Sequence, residues 1–587
     1  MEDPLIQVES LDSGVIDYID AAGKTFQDAF GELSVKARAE VDEIYRKKRL
    51  LSARITTRGI LQSYTENGLY HVSLEGNLIH TTPNVVFWIE SDPEGKRIGV
   101  FETGGSDSGL LTMFKDGEVS EKLEGTISGI TFTEDSYYLV KTFVDEKTPD
   151  GGPPNSHRVL KDGDVVFGKG MGPEDFITLY RSGKMIYAVV GDWTRSDIYA
   201  GSLEDPSSWK RVKGENYEIT PLGFRDGRSY YLESRGNGVV TRDGEAVIEG
   251  VSPINSALLV SDGILVIHMD NARARPVLYD MEGNVIVEFP MDTPMGLKSY
   301  DSDGEAAVLA LESFGIPFSL FKFHGRRMQK IDESRIMDAD VRDGYADSDG
   351  TRIHYFLVNS GSARSNGALA YGYGGFNIPV SPMFYPMFAY LMSKGITIAV
   401  SNLRGGNEYG EEWHRAGMLH NKQNVFNDFQ AVIRTLRGGG MKVVAFGVSN
   451  GGLLVGTTLT QAPEILDGAV IGNPVLDMMR FHRMSVGKYW VSEFGDPDSP
   501  GDRDYLLKYS PYHNIRDVEY PDTLIYSRLK DDRVHPAHAI KFHMALRDKG
   551  ARAYLRVNKE GGHIGIAADE TINEISDVCA FVMHCLQ

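Results

Sequence analysis

Along the first 50 residues apolar positions are sparse and set among good helix formers, most plainly in Ser34–Leu51 (SVKARAEVDEIYRKKRLL), which holds neither Gly nor Pro. The pattern predicts a helix too polar to stand alone, one that packs on another part of the chain. From about residue 55 to 330 the texture changes. Short runs of β-branched and aromatic residues alternate with turns containing Gly, Asp and Asn, which predicts many short antiparallel strands. One landmark recurs, an apolar strand closed by a turn glycine. It is seen in LYHVSLEG at Gly76, LLTMFKDG at Gly117, SHRVLKDG at Gly163, VVTRDG at Gly244, PVLYDMEG at Gly283 and FSLFKFHG at Gly325, with a weaker SDIYAG at Gly201. The successive intervals are 41, 46, 38, 43, 39 and 42 residues, the spacing of four-stranded blades, so a seven-bladed β-propeller is expected. A propeller has a central channel and no chemistry of its own, so binding or control of access is its expected work.

From about residue 335 buried strands alternate with longer helices. Strands are predicted at Ala368–Tyr371, Ile396–Val400, Val443–Phe446, Leu524–Ser527 and Ala553–Val557, with a helix at Pro536–Lys549 closed by Gly550. Such alternation over some 250 residues implies a mostly parallel α/β sheet with helices on both faces. The chain thus divides into an N-terminal helical segment (1–52), a seven-bladed propeller (53–330) and an α/β domain (331–587).

Charge narrows the functional classes. With 61 Lys+Arg against 82 Asp+Glu, the net charge of −21 argues against nucleic acid or an anionic membrane as partner. No run approaches the ~18 apolar residues of a membrane-spanning helix, and the start, MEDPLIQVES, lacks the basic and apolar pattern of a secretory signal. The two cysteines, Cys579 and Cys585, would lie about 9 Å apart along a helix, too far to bridge. Buried thiols and a reducing cytoplasm are therefore expected.

The sharpest chemical signal is Gly447-Val448-Ser449-Asn450-Gly451, a G-x-S-x-G elbow between an apolar strand ending at Phe446 and a helix-forming run, LLVGTTLTQA. A serine hydroxyl needs a base and a carboxylate to orient that base, in the chain order Ser, acid, His on this type of sheet. Downstream, TLIYSRLKDDRV (523–534) delivers Asp531 and Asp532 to a strand-end loop, and ARAYLRVNKEGGH (551–563) ends in Gly561-Gly562-His563. All of these occupy loops at the carboxyl ends of strands, where sites in open α/β sheets lie. His535, His538, His543 and His584 fall at or inside helices and fit the role of base less well. The backbone N–H of Asn450 is the first oxyanion donor. Tyr373, glycine-flanked in ALAYGYGGFN (368–377), is either a second donor or a packing side chain on the residues alone.

Together YGYGGFN (371–377), NLRGGNEYGEEWH (402–414), NKQNVFNDF (421–429), GVSNGG (447–452), KYWVSEFGDP (488–497), LKYSPYHN (507–514), DDRVHPAHAIKF (531–542) and GGH (561–563) resemble the prolyl oligopeptidase family. The resemblance covers the C-terminal third to half and is greatest to the prolyl oligopeptidases proper. It implies an α/β-hydrolase domain completed by the N-terminal stretch and paired with a seven-bladed propeller. It implies a serine endopeptidase that cleaves short peptides after proline, with Ser449 as nucleophile, His563 as base and Asp531, two residues before the arginine, as orienting acid. Tyr373 and Asn450 then stabilise the oxyanion. Arg533 anchors a peptide carbonyl, and Trp490 is the platform for the proline ring. Phe376, Val475, Val486, Val534 and Asn450 complete the pocket, together with Phe494 where the family commonly has Tyr. Short proline-containing peptides are the implied partners, a monomer is favoured, and neither a metal nor an organic cofactor is implied. The alternatives are an acylaminoacyl-peptidase-like enzyme, an esterase or other serine hydrolase, and a peptide-binding propeller with an inactive hydrolase domain.

Overall fold

The computed structural model describes residues 3–361 and 365–587. Ser13–Tyr45 is one 33-residue helix, capped by Asp12, whose carboxylate accepts the Val15 N–H at 3.0 Å. Its buried residues Val15, Ile19, Phe26, Phe30, Ala37, Val41 and Tyr45 form one face. That face lies along the C-terminal helix Ala568–Leu586 and the strand Ala553–Asn558, with Phe30 against Tyr554 (4.9 Å) and Phe581 (5.5 Å). The expected polar helix is thus longer on its N-terminal side and stops sooner. Residues Arg49–Leu51 belong instead to the strand Arg49–Thr56, because Leu50, paired with Tyr64, is buried against Phe318 and Leu320. Tertiary packing overrides a favourable helix propensity there.

Between residues 49 and 334 every strand pairs antiparallel with its sequence neighbour. Five sheets have four strands each, and a sixth, from Val85 to Phe167, has seven. In that sheet the 15-residue strand Glu118–Phe132 pairs through its first half with Gly109–Lys115 and through its second half with Tyr137–Thr142. The last sheet returns to the first, where the Ala53 N–H donates to Ser299 Oγ at 3.1 Å, so the array closes as a propeller. Glycines 76, 117, 163, 244, 283 and 325 all have φ between 55° and 90° at the turns expected of them. Gly201 differs. It lies inside the strand Arg195–Ser202, and the following turn is made by the short helix Pro206–Ser208.

One inward group on the propeller titrates unusually. Asp301 accepts the Ile55 N–H at 2.9 Å and faces Arg54 and Glu90; burial raises its carboxyl to about 7, with Arg54 opposing and Glu90 adding. Between the ordinary value of 3.8 and about 7 the folded chain then holds more protons than the unfolded one, and stability falls as pH rises through that window. Asp301→Asn is expected to remove this slope, raising the urea midpoint more at pH 8 than at pH 5. Equal changes at both pH values would contradict it.

The C-terminal part is an eight-stranded sheet ordered 340–348, 351–359, 397–401, 367–371, 442–448, 468–472, 523–528, 553–558. Its first three strands are antiparallel neighbours and the rest parallel. The expected strands are present; the antiparallel pair at 340–359 and Gly468–Gly472 are additional. One core lies on each face, and the N-terminal segment contributes to both, through Val8, Val15 and Ile19 on one side and Phe26 and Phe30 on the other. Among the described residues no helix is long and apolar enough to cross a membrane.

Candidate active site

The Lys442–Val448 strand runs into the helix Asn450–Gln461 through Ser449, which has φ 60° and ψ −117°. A non-glycine residue held there costs about 1–3 kcal/mol, so its surroundings must enforce it. They do. The Ser449 N–H donates to Gly472 O at 2.8 Å, and a β-carbon at Gly447 would sit 2.1 Å from Gly451 O, while one at Gly451 would sit 2.7 Å from Gly372 O, just past the neighbouring strand. The motif's glycines are required because the helix start and the neighbouring strand crowd the turn.

The next strand, Thr523–Arg528, delivers the acids. Asp531 Oδ1 accepts the N–H groups of Val534 (2.8 Å) and Arg533 (3.0 Å), leaving Oδ2 to bond His563 Nδ1 at 2.8 Å. Asp532 turns away and accepts the Asp107 N–H at 2.6 Å, its other oxygen buried without a partner, and burial raises its pKa. The geometry therefore separates two acids that spacing leaves equivalent. No hydrogen bond joins the His563 ring to the Ser449 hydroxyl, a contact that commonly tightens only when substrate is bound. The other histidines are structural: His538 Nδ1 accepts the Asp477 N–H at 3.1 Å, and His543 bonds Tyr18 Oη at 2.7 Å. Burial pushes their pKa values down to about 3 and about 4. His535 lies in the 530–536 loop, also depressed by burial, and His584 is 3.5 Å from Asp522.

The histidine loop has two supports that sequence reasoning did not identify. Buried Arg528 donates to Gly562 O at 2.9 Å and pairs with Glu574 at 2.9 Å. Its signal was a charge at the end of the buried strand TLIYSR, which demands a partner. The propeller provides the second support, since the Ile564 N–H donates to Gly105 O at 2.9 Å.

Tyr373 lies beside the serine. Burial raises its phenol pKa above the ordinary range and the Glu493 charge adds to this, while Arg533 and the Ser449 hydroxyl oppose it, so the hydroxyl remains a protonated donor. Asn450 Nδ2 grips Tyr373 O at 2.6 Å, and the Asn450 backbone N–H, at the first position of its helix, has no acceptor within the helix.

Around these groups Val475, Val534 and Phe494 are buried in one apolar cluster against which Phe376 and Trp490 pack. The Phe494 ring meets Phe376 at 5.3 Å and Trp490 at 6.5 Å, both edge-on. Val486 is half-buried at the start of the Gly487–Trp490 turn and stands outside that cluster. The propeller adds what no local pattern announced: Trp193 packs 5.2 Å from Phe376, and Phe176 lies 5.6 Å from Tyr489, next to Trp490. Arg533, expected to be open to a peptide, is instead clasped by Asp107, with Nη2–Oδ1 at 2.6 Å and Nε–Oδ2 at 3.0 Å.

Among the described residues two groups of side chains approach metal-ligand spacing: His482, Asp496 and Asp498, and Asp3, Glu9 and Asp477. Cations of the chain already occupy both. Arg483 pairs with Asp498 at 2.7 Å, and Lys541 contacts Asp3, Glu9 and Asp477 at 2.5, 2.5 and 3.2 Å.

Residues 382–587 match the prolyl oligopeptidase family. A prolyl endopeptidase of Elizabethkingia miricola is 27% identical over 537 residues, 82% of this chain and 76% of its own. An uncharacterized peptidase of Sinorhizobium fredii, y4nA, is 37% identical over 296 residues, 47% of this chain and 40% of its own. Prolyl oligopeptidase A of Amanita bisporigera is 38% identical over 276 residues, so the chain matches less than half the length of these last two relatives. Among solved structures, a chain from a study of two prolyl endopeptidases superposes with TM-score 0.89 at 24% identity, covering 98% of this chain and 95% of that one. Prolyl oligopeptidase B of Galerina marginata, bound to a 35-residue hydrolysis and macrocyclization substrate, gives 0.88 at 21%, covering 100% and 95%. At these identities the structural likeness concerns the fold.

Proposed function

We propose that this chain, whose residues 382–587 match the prolyl oligopeptidase family, is a serine endopeptidase hydrolysing short peptides on the carboxyl side of proline. The observation that carries the reading is the 2.8 Å bond from Asp531 to His563 Nδ1, on the same sheet rim as the Ser449 elbow. Asp531 fixes the tautomer with its proton on Nδ1, which leaves Nε2 to take the Ser449 proton. Ser449 Oγ attacks the prolyl carbonyl carbon, and the oxyanion is received by the Asn450 N–H and the Tyr373 hydroxyl. His563 returns its proton to the leaving amine. A water deprotonated by the same imidazole then releases the prolyl product from the acyl-enzyme.

Trp490, Phe494, Phe376, Val475, Val486 and Val534 form the proline pocket in this reading, and Arg533 exchanges Asp107 for a peptide carbonyl. Residues 1–48 and 335–587 together make the hydrolase domain, since the strands Arg49–Thr56 and Arg327–Ser334 belong to the propeller's first and last sheets. Residues 49–334 make a propeller of seven blades, the seven-stranded sheet counting as two blades that share Glu118–Phe132. The propeller admits short peptides and excludes folded proteins, because Gly105, Asp107, Trp193 and Phe176 stand over the site. We place the enzyme in the reducing cytoplasm, a reading supported by two free cysteines, one of them buried, and take it to act as a monomer.

Chromogenic peptides differing only in Pro, Ala or Phe before the scissile bond test the specificity. An apolar pocket filled by the right ring discriminates by roughly 10–200-fold, so kcat/KM for Pro is expected to exceed the others by that range. Faster cleavage after Phe would favour an acylaminoacyl-peptidase-like activity instead.

A further inference from the structure

Beneath the Tyr373–Asn377 turn lies a buried charged network that the reaction as described does not use. Lys422, at the start of the helix Gln423–Gly438, is 1% exposed; its ammonium donates to Glu493 Oε1 at 3.2 Å and to Gly374 O at 2.9 Å. His414 Nε2 lies 3.0 Å from the other Glu493 oxygen, and the Glu493 side chain is fully buried. The Lys422 ammonium is also 5.3 Å from the centre of the Phe494 ring.

This arrangement costs stability unless it serves another end, because a buried ion pair seldom recovers its desolvation. Burial works to lower the Lys422 pKa and is opposed by Glu493; Lys422 and His414 in turn hold the Glu493 carboxyl below its usual range against burial. What the network does secure is a turn the backbone would not keep by itself. Gly374, Phe376 and Asn377 all have φ near +60°, a region disfavoured for the two residues with side chains. Two consecutive carbonyls of that turn are held from below, Tyr373 O by Asn450 Nδ2 and Gly374 O by Lys422 Nζ. A β-carbon at Gly375 would lie 2.7 Å from that amide nitrogen and 2.8 Å from that ammonium, so the two donors flank the turn closely.

We propose that Lys422 is a positioning residue for peptide hydrolysis: through Gly374 O, and anchored by Glu493, it fixes the turn that aims the Tyr373 hydroxyl at the oxyanion. The inference rests on the role given to Tyr373 above and deepens it. It assigns to Lys422 an effect on the transition state rather than on substrate binding, because the ammonium reaches no substrate.

The test is a double-mutant cycle with Lys422→Met and Tyr373→Phe, reading kcat and KM on a proline-containing chromogenic peptide, with thermal unfolding as the check on folding. Outright loss of an oxyanion donor costs about 10²–10³-fold in kcat, and a misaimed donor costs less. Lys422→Met is expected to lower kcat roughly 10–100-fold with KM changed less than about 3-fold. In the Tyr373→Phe background it should remove less than about 3-fold more, because both changes act on one donor. Wild-type kcat in Lys422→Met alongside a slow Tyr373→Phe overturns the inference and leaves the function standing. Full additivity overturns it too, as does a loss confined to KM. Wild-type kcat in Tyr373→Phe overturns both the inference and the role of Tyr373. Should Lys422→Met fail to fold, Lys422→Met with Glu493→Gln, which removes both charges together, carries the same expectation.

Discussion

Replacing Ser449 by alanine is expected to reduce kcat on a proline-containing peptide by roughly 10⁵–10⁶-fold while leaving the fold and the peptide's affinity nearly intact. The size of the effect follows from the chemistry, since without Oγ no acyl-enzyme forms and only oxyanion stabilisation and binding remain. The fold should tolerate the change because the Ser449 backbone, whose N–H bonds Gly472 O at 2.8 Å, holds the elbow. Serine already occupies φ 60°, so alanine meets the same strain and thermal stability is expected to change little. Comparable turnover in the variant, measured on protein free of contaminating peptidase, would remove Ser449 from the mechanism and restore the binding-module alternative.

Asp531→Asn is the second large effect, about 10⁴-fold in kcat, by analogy of role with other serine hydrolases in which the same change leaves the geometry and loses the tautomer. In this chain the asparagine oxygen can still accept the Val534 and Arg533 N–H groups that Asp531 Oδ1 accepts at 2.8 and 3.0 Å. The amide would then face His563 as a donor, forcing Nδ1 to accept and placing the imidazole proton on Nε2, where the base is needed. Asp532→Asn makes the comparison decisive. Asp532 bonds the propeller's Asp107 N–H and not the imidazole, so its variant should keep kcat within a few-fold. A larger loss at 532 than at 531 would reverse the assignment.

How far the amino-acid sequence announced this architecture varies with the kind of signal. Turn glycines announced the propeller because a left-handed backbone is a local demand, and Gly76, Gly117, Gly163, Gly244, Gly283 and Gly325 all meet it. Gly201 misled because a strand glycine and a turn glycine look alike when the neighbouring residues are apolar. The antiparallel pair at 340–359 escaped notice because Asp340–Ser348 (DVRDGYADS) is an edge strand, largely polar, with little apolar alternation. The elbow and the chain order of serine, acid pair and histidine were readable from the residues, whereas the pocket rings entered only through the resemblance. The choice of Asp531 over Asp532 came only through resemblance, because which of the two meets the imidazole is decided by the fold of the loop and not by spacing. Asp107, Gly105 and Trp193 were unreadable for a plainer reason. They reach the site from more than 250 residues away in the chain, through contacts between two bodies, and nothing in their own surroundings marks them.

The pairing of the Ser13–Tyr45 helix with the Ala568–Leu586 helix has a consequence for how the protein is made. On a ribosome the first helix emerges with its apolar face, Phe26 and Phe30 included, long before the segment that covers it. At roughly 5–20 residues per second, the on the order of 500 residues between them take about 25–100 s to synthesise. Through that interval the propeller can close on itself from neighbouring strands, while the other body waits for its final turn of chain. Chaperone occupancy of nascent chains should therefore persist at the first helix until translation ends, and release on termination would be its visible mark.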